Sequence, residues 1–381
     1  MTSTARPPGR VSIWLSWSPA EIDSLTGLSE RFSLTHPEAE FEIAYFRDSE
    51  LEGAFVEALQ REAGPTIVIG PDTLGPRLWE RGSIQDVTEL MAPAIREALQ
   101  PLALSQVTYQ GALLGLPLAM DGVVLYANRD LAAQAVVRVE DWIAPAGGTP
   151  ASSALGSLDF GLLYTGGFMA ACGGEWIDPS GQPGFRGPEG ECWLGLMRGL
   201  SPSGQPAFNT DADLAAFQAG QVAWMVDGTW NLDTIAQAIG PSRLAIDPWP
   251  VYEATGRPLA GFVRTENAYL ATDLSQADLE ASWTFLAYLL SPEAQQQLSH
   301  PDRARHLPVV QAIGLTNPLM AEAMDAITSG IPYPLDPRFA LYQQPLERAI
   351  STVIRQAGDP TLTLQRAEQE LASALAPTPT P

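Results

Sequence analysis

Strand and helix patterns alternate along the first 70 residues of the chain. Val11–Leu15 has the apolar run of a strand, and Ser18–Glu21 has the residues of a capping box with proline at the first helical position. Phe41–Tyr45 alternates apolar and polar residues, and Thr66–Ile69 is another apolar run. Leu51, Phe55 and Leu59 mark a second helix between the last two of these strands. This β-α-β-α-β order predicts right-handed crossovers and a lobe of the α/β class.

The loops that follow these strands are candidate ligand-binding positions, because ligands of such sheets bind at the carboxyl ends of the strands. The loops hold Ser16–Ser18, Phe46–Asp48 and Gly70–Thr73. An aromatic residue in such a loop is costly to expose unless it meets a ligand. Trp17, beside a predicted helix N-terminus, is therefore a candidate ligand contact.

Later segments continue the alternation. A helix is predicted over Asp159–Ala171 and a strand over Val222–Val226, and the Asp227–Gly228 turn leads into a helix over Asn231–Ile239. Trp230 lies at this strand-to-helix junction and is a second candidate contact. The predicted division of the chain is a flexible segment at 1–10, one lobe of 11–119 plus 264–310, a second lobe of 120–263 plus 311–375, and a Thr/Pro tail at 376–381.

The charge of the chain disfavours several partners. It carries 44 acidic and 21 basic residues, for a net charge of −23, and every basic residue is arginine. Phosphate backbones and anionic lipids repel such a chain, so we expect no nucleic-acid partner. The absence of lysine from the sequence excludes Schiff-base and phosphate-loop lysine chemistry.

The chain ends and the cysteines leave alternatives open. Met1–Arg10 lacks the apolar core of a signal peptide, so we expect either a cytosolic protein or an exported one whose signal is absent from this sequence. Cys172 and Cys192 are too few for a zinc cage. They form either one disulfide, worth roughly 3 kcal/mol for the loop that it closes, or two free buried thiols.

Signatures of enzymes are absent from the sequence. It contains no GxSxG elbow, no HExxH motif and no phosphate loop. The three histidines, His36, His300 and His306, are scattered, and we interpret each as a surface or packing residue. The sequence predicts no catalytic residue, no metal site and no cofactor.

Aromatic and acidic residues in loops suit a carbohydrate. The C–H face of a pyranose packs on an indole or phenol ring, and its hydroxyls donate hydrogen bonds to carboxylates. Trp14, Trp142 and Trp283 are interpreted as packing residues, whereas Trp17 and Trp230 lie where a sugar could stack.

From about Val11 to Leu375 the chain resembles the extracytoplasmic solute-binding proteins of ABC importers, in the group that includes the maltose-binding protein. The resemblance rests on motifs that occur in the family's order. These are Tyr109–Gly111, Gly115–Pro117, Asp121 and Leu125–Leu131, then Phe217–Met225 and Asp227–Trp230, then Ala281–Gln295 and Leu307–Val309.

The resemblance implies an α/β, two-lobe periplasmic-binding-protein-like fold, each lobe a mostly parallel sheet flanked by helices, joined by hinge segments. It implies a monomer outside the cytoplasm, periplasmic or membrane-anchored, that holds a carbohydrate in the interlobe cleft, closes by hinge motion and delivers it unaltered to a membrane permease. The ligand-binding residues that it and the loop positions suggest are Trp17, Ser18, Phe46, Asp72, Asp121, Tyr164, Trp230 and Tyr342.

Other interpretations stay open. Asp72 could cap the helix at Leu74, Asp121 could cap its turn, Trp230 could pack on the next helix, and Trp17 could cover the hinge from outside. A protein of the same fold could bind a peptide, polyamine or metal chelate instead. The chain could also be the ligand-sensing ectodomain of a larger protein.

Overall fold

The computed structural model describes residues 9–143, 158–178, 180–201, 205–300 and 304–376. Most of the N-terminal segment predicted to be flexible, and all but the first residue of the predicted tail, lie outside these ranges. The prediction was wrong at Gly9 and Arg10, which already belong to the first strand because they pair with Ala39 and Glu40.

The strands of the described residues are β1 Gly9–Leu15, β2 Ala39–Tyr45, β3 Ile67–Pro71, β4 Thr108–Tyr109, β5 Ala112–Leu113, β6 Leu116–Asn128, β7 Trp224–Gly228, β8 Leu244–Asp247, β9 Val251–Tyr252, β10 Arg257–Pro258, β11 Phe262–Leu270 and β12 Ile331–Pro332. The first α-helices are α1 Pro19–Ser33, α2 Asp48–Gln60, α3 Leu74–Glu80, α4 Pro93–Ala98, α5 Pro101–Ser105, α6 Val139–Ile143, α7 Leu162–Thr165 and α8 Pro188–Gly199. The remaining α-helices are α9 Ala212–Gln218, α10 Leu232–Ile239, α11 Gln276–Leu289, α12 Pro292–Leu298, α13 Pro318–Thr328, α14 Gln343–Arg355 and α15 Pro360–Leu375. Short 3₁₀ helices cover Gly166–Cys172, Thr229–Asn231 and Pro337–Tyr342.

Within the described ranges, no helix combines the length and the apolar character that crossing a bilayer requires.

The chain divides into two compact units. Unit 1 extends to Asp121 and resumes over Arg264–Asn317, and unit 2 holds Gly122–Val263 and the residues from Pro318 onward. The last crossing was expected after residue 310. It lies later, after Asn317, because Gln311 still binds unit 1: its backbone N–H donates to the carbonyl of Ala98 at 2.8 Å and its side chain to the carbonyl of Leu99 at 2.7 Å.

Unit 1 contains the parallel sheet that the sequence predicts. β1 pairs in parallel with β2 on one side and with β3 on the other, and β11 runs antiparallel to β3. Ile13 is at the centre, opposite Ile43 and Ile67. The carboxyl ends of β1, β2 and β3 therefore meet at one edge, where their loops can form a site.

Unit 2 is built around the long strand β6. β7 and β8 pair antiparallel to its two sides, so they run parallel to each other and are connected through α10. A mostly parallel sheet was expected in this lobe. β7 and β8 do run parallel to each other, but β6, which enters from unit 1 and lies between them, runs in the opposite direction.

An aromatic core and a disulfide stabilise unit 2. Trp176 and Trp193 pack edge to face, with ring centroids 4.9 Å apart, and both are buried. Cys172 and Cys192 form a disulfide that joins the 3₁₀ helix Gly166–Cys172 to α8. Of the two alternatives left open by the sequence, the structure has the bridge.

Candidate functional site

A pocket of about 680 Å³ lies within unit 1 at the carboxyl ends of β1 and β3. It is mainly polar, and its charged lining residues are Glu21, Asp48, Glu52, Asp121, Glu266, Arg77, Arg264 and His306. Of the site residues predicted in this unit, Trp17 and Asp121 line the pocket, whereas Ser18, Phe46 and Asp72 are not among its lining residues.

Trp17 is packed into the wall of this pocket and holds a carboxylate. Its side chain is 4% exposed, and its indole N–H donates to Glu266 Oε2 at 3.2 Å. Burial raises the pKa of Glu266 to about 7, and the charge of Asp121 adds to the rise. Hydrogen bonding to the Trp17 indole, together with the charges of His306 and Arg264, opposes it. Glu266 is therefore a half-buried acceptor whose charge depends on pH near neutrality.

His306 forms an ion pair in the same wall. Its Nε2 lies 3.0 Å from Glu21 Oε1, and its ring centroid is 5.3 Å from that of Trp17. Burial alone would lower the pKa of His306, but contact with Glu21 and the charges of Asp121 and Glu266 raise it. His306 is a packing residue, as interpreted from the sequence, because it is buried and its ring lies beside Trp17, but the fold also brings three acidic residues to it.

Glu21 also orders the first loop. Its Oε2 accepts a hydrogen bond from the backbone N–H of Ser18 at 2.6 Å, as the capping box predicts. Burial would raise the pKa of Glu21, yet His306 and Ser18 together bring it below the usual range. Ser18 itself is exposed and belongs to the helix cap.

Asp72 lies beneath the pocket surface. Its side chain is fully buried, with Arg264 Nη2 at 2.7 Å and Arg264 Nε at 3.1 Å from its Oδ1, and it accepts from the backbone N–H of Thr73 at 2.8 Å. The guanidinium of Arg264, rather than the carboxylate of Asp72, faces the pocket.

Phe46 packs against Trp14, with the two ring centroids 4.4 Å apart, and it is not among the residues that line the pocket.

Unit 2 presents an aromatic surface of its own. Trp230 is 45% exposed, just after the carboxyl end of β7. Asp227, at the end of the same strand, accepts from the side chain of Asn231 at 2.9 Å. Tyr164 is on α7, which packs against β7, and burial together with the charge of Asp227 raises its pKa to about 12. Tyr164 and Trp230 are thus both placed around the end of β7.

Tyr342 is placed in the core of unit 2. It is 2% exposed, and its ring centroid lies 5.7 Å from that of Phe185 and 5.3 Å from that of Phe339. Burial raises its pKa to about 12. Its position just before the amphipathic helix α14 turns it toward the core, so it is not among the proposed ligand contacts.

Sequence reasoning missed Glu21, Arg264, Glu266 and His306. A signal existed for two of them, since Arg264 and Glu266 are charged residues within the largely buried strand β11, and a charge in a buried strand requires a partner. In the described part of the chain, no His, Cys, Asp and Glu side chains are grouped as a metal site would need.

Comparison with known proteins identifies the family. The family described as bacterial extracellular solute-binding protein matches residues 28–323, and the chain belongs to it. Its members bind solutes and are not enzymes. A maltotriose-binding protein of Pyrococcus abyssi is 22% identical in an alignment over 302 residues that covers 76% of this chain and 65% of that relative's length, so the chain spans less than two thirds of this relative.

Solved structures share the fold. A cyclo/maltodextrin-binding protein complexed with maltotetraose has a TM-score of 0.84 at 20% identity, with 98% of both chains covered. The extracellular solute-binding protein of Staphylococcus aureus in complex with maltose has a TM-score of 0.84 at 15% identity, with 97% of this chain and 98% of that chain covered. At these identities the likeness shows the fold alone.

Proposed function

We propose that this solute-binding protein binds a carbohydrate without altering it and delivers it to the membrane permease of an ABC importer. The observation that carries the proposal is the polar pocket of unit 1, lined by carboxylates and arginines next to Trp17. The names of the relatives agree in kind, since they bind maltotriose, maltotetraose or maltose.

The lining of the pocket suits hydroxyl groups. Glu266 offers acceptors to sugar hydroxyls, the charge of Asp121 lies beside it, and the guanidinium of Arg264 donates. Hydrogen bonds to charged groups contribute on the order of 1.5–3 kcal/mol each. In unit 2, Trp230 offers an exposed ring on which the C–H face of a sugar can stack, and Tyr164 lies nearby.

A titration of maltose, maltotriose and maltotetraose into the purified chain tests the proposal by isothermal calorimetry. W230A should weaken binding at least about tenfold, because it removes the stacking ring. D121N should weaken it as well. The control is L131A, which removes a similarly exposed apolar side chain elsewhere in unit 2 and should leave affinity unchanged. Wild-type affinity in both W230A and D121N would contradict the proposed contacts.

An amine-bearing solute, such as a polyamine, is the second candidate. It is favoured by the charge count of the pocket, where five carboxylates face two arginines and one histidine. Spermidine and glucosamine in the same titration series separate the two candidates. Spermidine binding that outcompetes every neutral sugar would replace the first candidate with the second.

Three further expectations belong to this proposal. We expect an extracytoplasmic location, in line with the family's description, and a monomer, which light scattering coupled to size-exclusion chromatography measures. The hinge closure that the sequence resemblance implies stays a prediction. A decrease in the radius of gyration on adding sugar, measured by small-angle X-ray scattering, would support it.

A further inference from the structure

The indole of Trp230 lies directly against Gly228. A Cβ atom built on Gly228 would be 2.1 Å from Cζ2, 2.2 Å from Cε2 and 2.3 Å from Cδ2 of the indole. Cβ atoms essentially never come within 3.0 Å of a heavy atom to which they are not linked through the local chain. The indole therefore occupies the volume that any side chain at position 228 would need.

The backbone of Gly228 has little freedom to move away. Its N–H donates to Asp227 Oδ1 at 2.6 Å, and its carbonyl accepts from the hydroxyl of Tyr126 at 2.9 Å. It also pairs with Val123 at the end of β7. With the backbone held on these sides, a Cβ atom at position 228 would have to displace the indole.

The requirement for glycine at this position is not conformational. Gly228 has φ −82° and ψ 154°, an extended backbone that any residue can adopt. Alanine would therefore fit the backbone, and the three atoms nearest to its Cβ would all belong to the ring. This separates an effect on Trp230 from an effect on the strand.

We propose that Gly228 is a positioning residue, which holds one side of the Trp230 indole against the backbone so that its other side stays open to the apolar face of a saccharide ring. Trp230 is 45% exposed, as expected for a ring covered on one side. The proposal rests on the proposed function, because the role of the open side is to meet the sugar. A ring fixed before binding loses less entropy when the ligand stacks on it.

The test compares G228A, W230A and the double variant by calorimetric titration with maltotriose. G228A should weaken binding about as much as W230A, roughly tenfold. In the W230A background, G228A should change affinity less than about twofold, because the ring through which it acts is gone. The matched control is G195A on α8, where a Cβ atom meets nothing within 4 Å, and it should bind maltotriose like the wild type.

A measurement without sugar completes the test. In protein labelled with 5-fluorotryptophan, W230F identifies the ¹⁹F resonance of Trp230, and G228A should shift that resonance while G195A leaves it in place. Three results would each overturn the role of Gly228. They are wild-type affinity in G228A while W230A binds more weakly, a further tenfold loss of affinity in the double variant, and an unmoved ¹⁹F resonance in G228A. Failure of the wild-type chain to bind any saccharide would overturn the proposed function instead, and the ¹⁹F resonance would still decide whether Gly228 holds the ring.

Discussion

The carboxyl of Glu266 should make the protein less stable as the pH rises. Its pKa is about 7 in the folded chain, against 4.5 for an ordinary glutamate. The folded state therefore holds this proton more tightly than the unfolded state does. The free energy of unfolding should fall as the pH rises from about 4.5 through about 7, and the penalty is complete above that window.

E266Q isolates this penalty. At ~1.4 kcal/mol per pKa unit, the difference between 4.5 and about 7 corresponds to about 3.5 kcal/mol, and solvent in the open pocket should reduce it to about 1–3 kcal/mol. Glutamine keeps an acceptor for the indole N–H of Trp17 and carries no charge. We expect E266Q to melt several degrees above the wild type at pH 8 and to differ little at pH 4.5.

Differential scanning calorimetry at the two pH values measures this effect. E62Q, an exposed position in unit 1, is the control and should change the melting temperature little at either pH. The same E266Q variant should bind saccharide about tenfold more weakly, because a neutral amide is a weaker acceptor than a carboxylate. An E266Q protein that melts at or below the wild-type temperature at pH 8, or that gains equally at both pH values, would refute the reasoning.

Two other predictions concern stability. Replacing Cys172 and Cys192 by serine should lower the free energy of unfolding by about 3 kcal/mol in urea titrations, because the unfolded chain gains freedom, and an unchanged midpoint would contradict this. R264Q should cost about 3–5 kcal/mol by the same assay, because it leaves the buried Asp72 carboxylate without its guanidinium, and D72N added to R264Q should recover part of the loss. A double variant less stable than R264Q would show that the pair is not the cause.

Local patterns predicted unit 1 well. β1 and β2 begin and end within about two residues of the predicted segments, and α1 begins at the predicted proline, since strand alternation and the capping box at Ser18 are encoded by neighbours in sequence. The helix predicted over Asp159–Ala171 was wrong in part, because only Leu162–Thr165 is α-helical and a 3₁₀ helix follows. Gly167 explains the change: a Cβ there would lie 2.2 Å from the carbonyl oxygen of Ala260, so this segment packs against distant backbone.

The pocket could be predicted only in part, because its charged groups come from distant parts of the chain. Trp17 was found from its place after a strand, which is a local signal. His306 meets Glu21, and Glu266 meets Trp17, only once the chain has returned to unit 1, after more than 200 residues, and no spacing in the sequence records these contacts. Tyr342 was predicted to contact the ligand, but its side chain is buried in unit 2, since an aromatic residue before a helix can face the core as easily as a ligand.

A crystal structure of the chain grown with maltotriose would test the central claim most directly. The account predicts sugar density in the pocket of unit 1, with a sugar hydroxyl within hydrogen-bonding distance of Glu266. Sugar bound away from this pocket, or a well-diffracting crystal from saturating maltotriose with no sugar in it, would contradict the account.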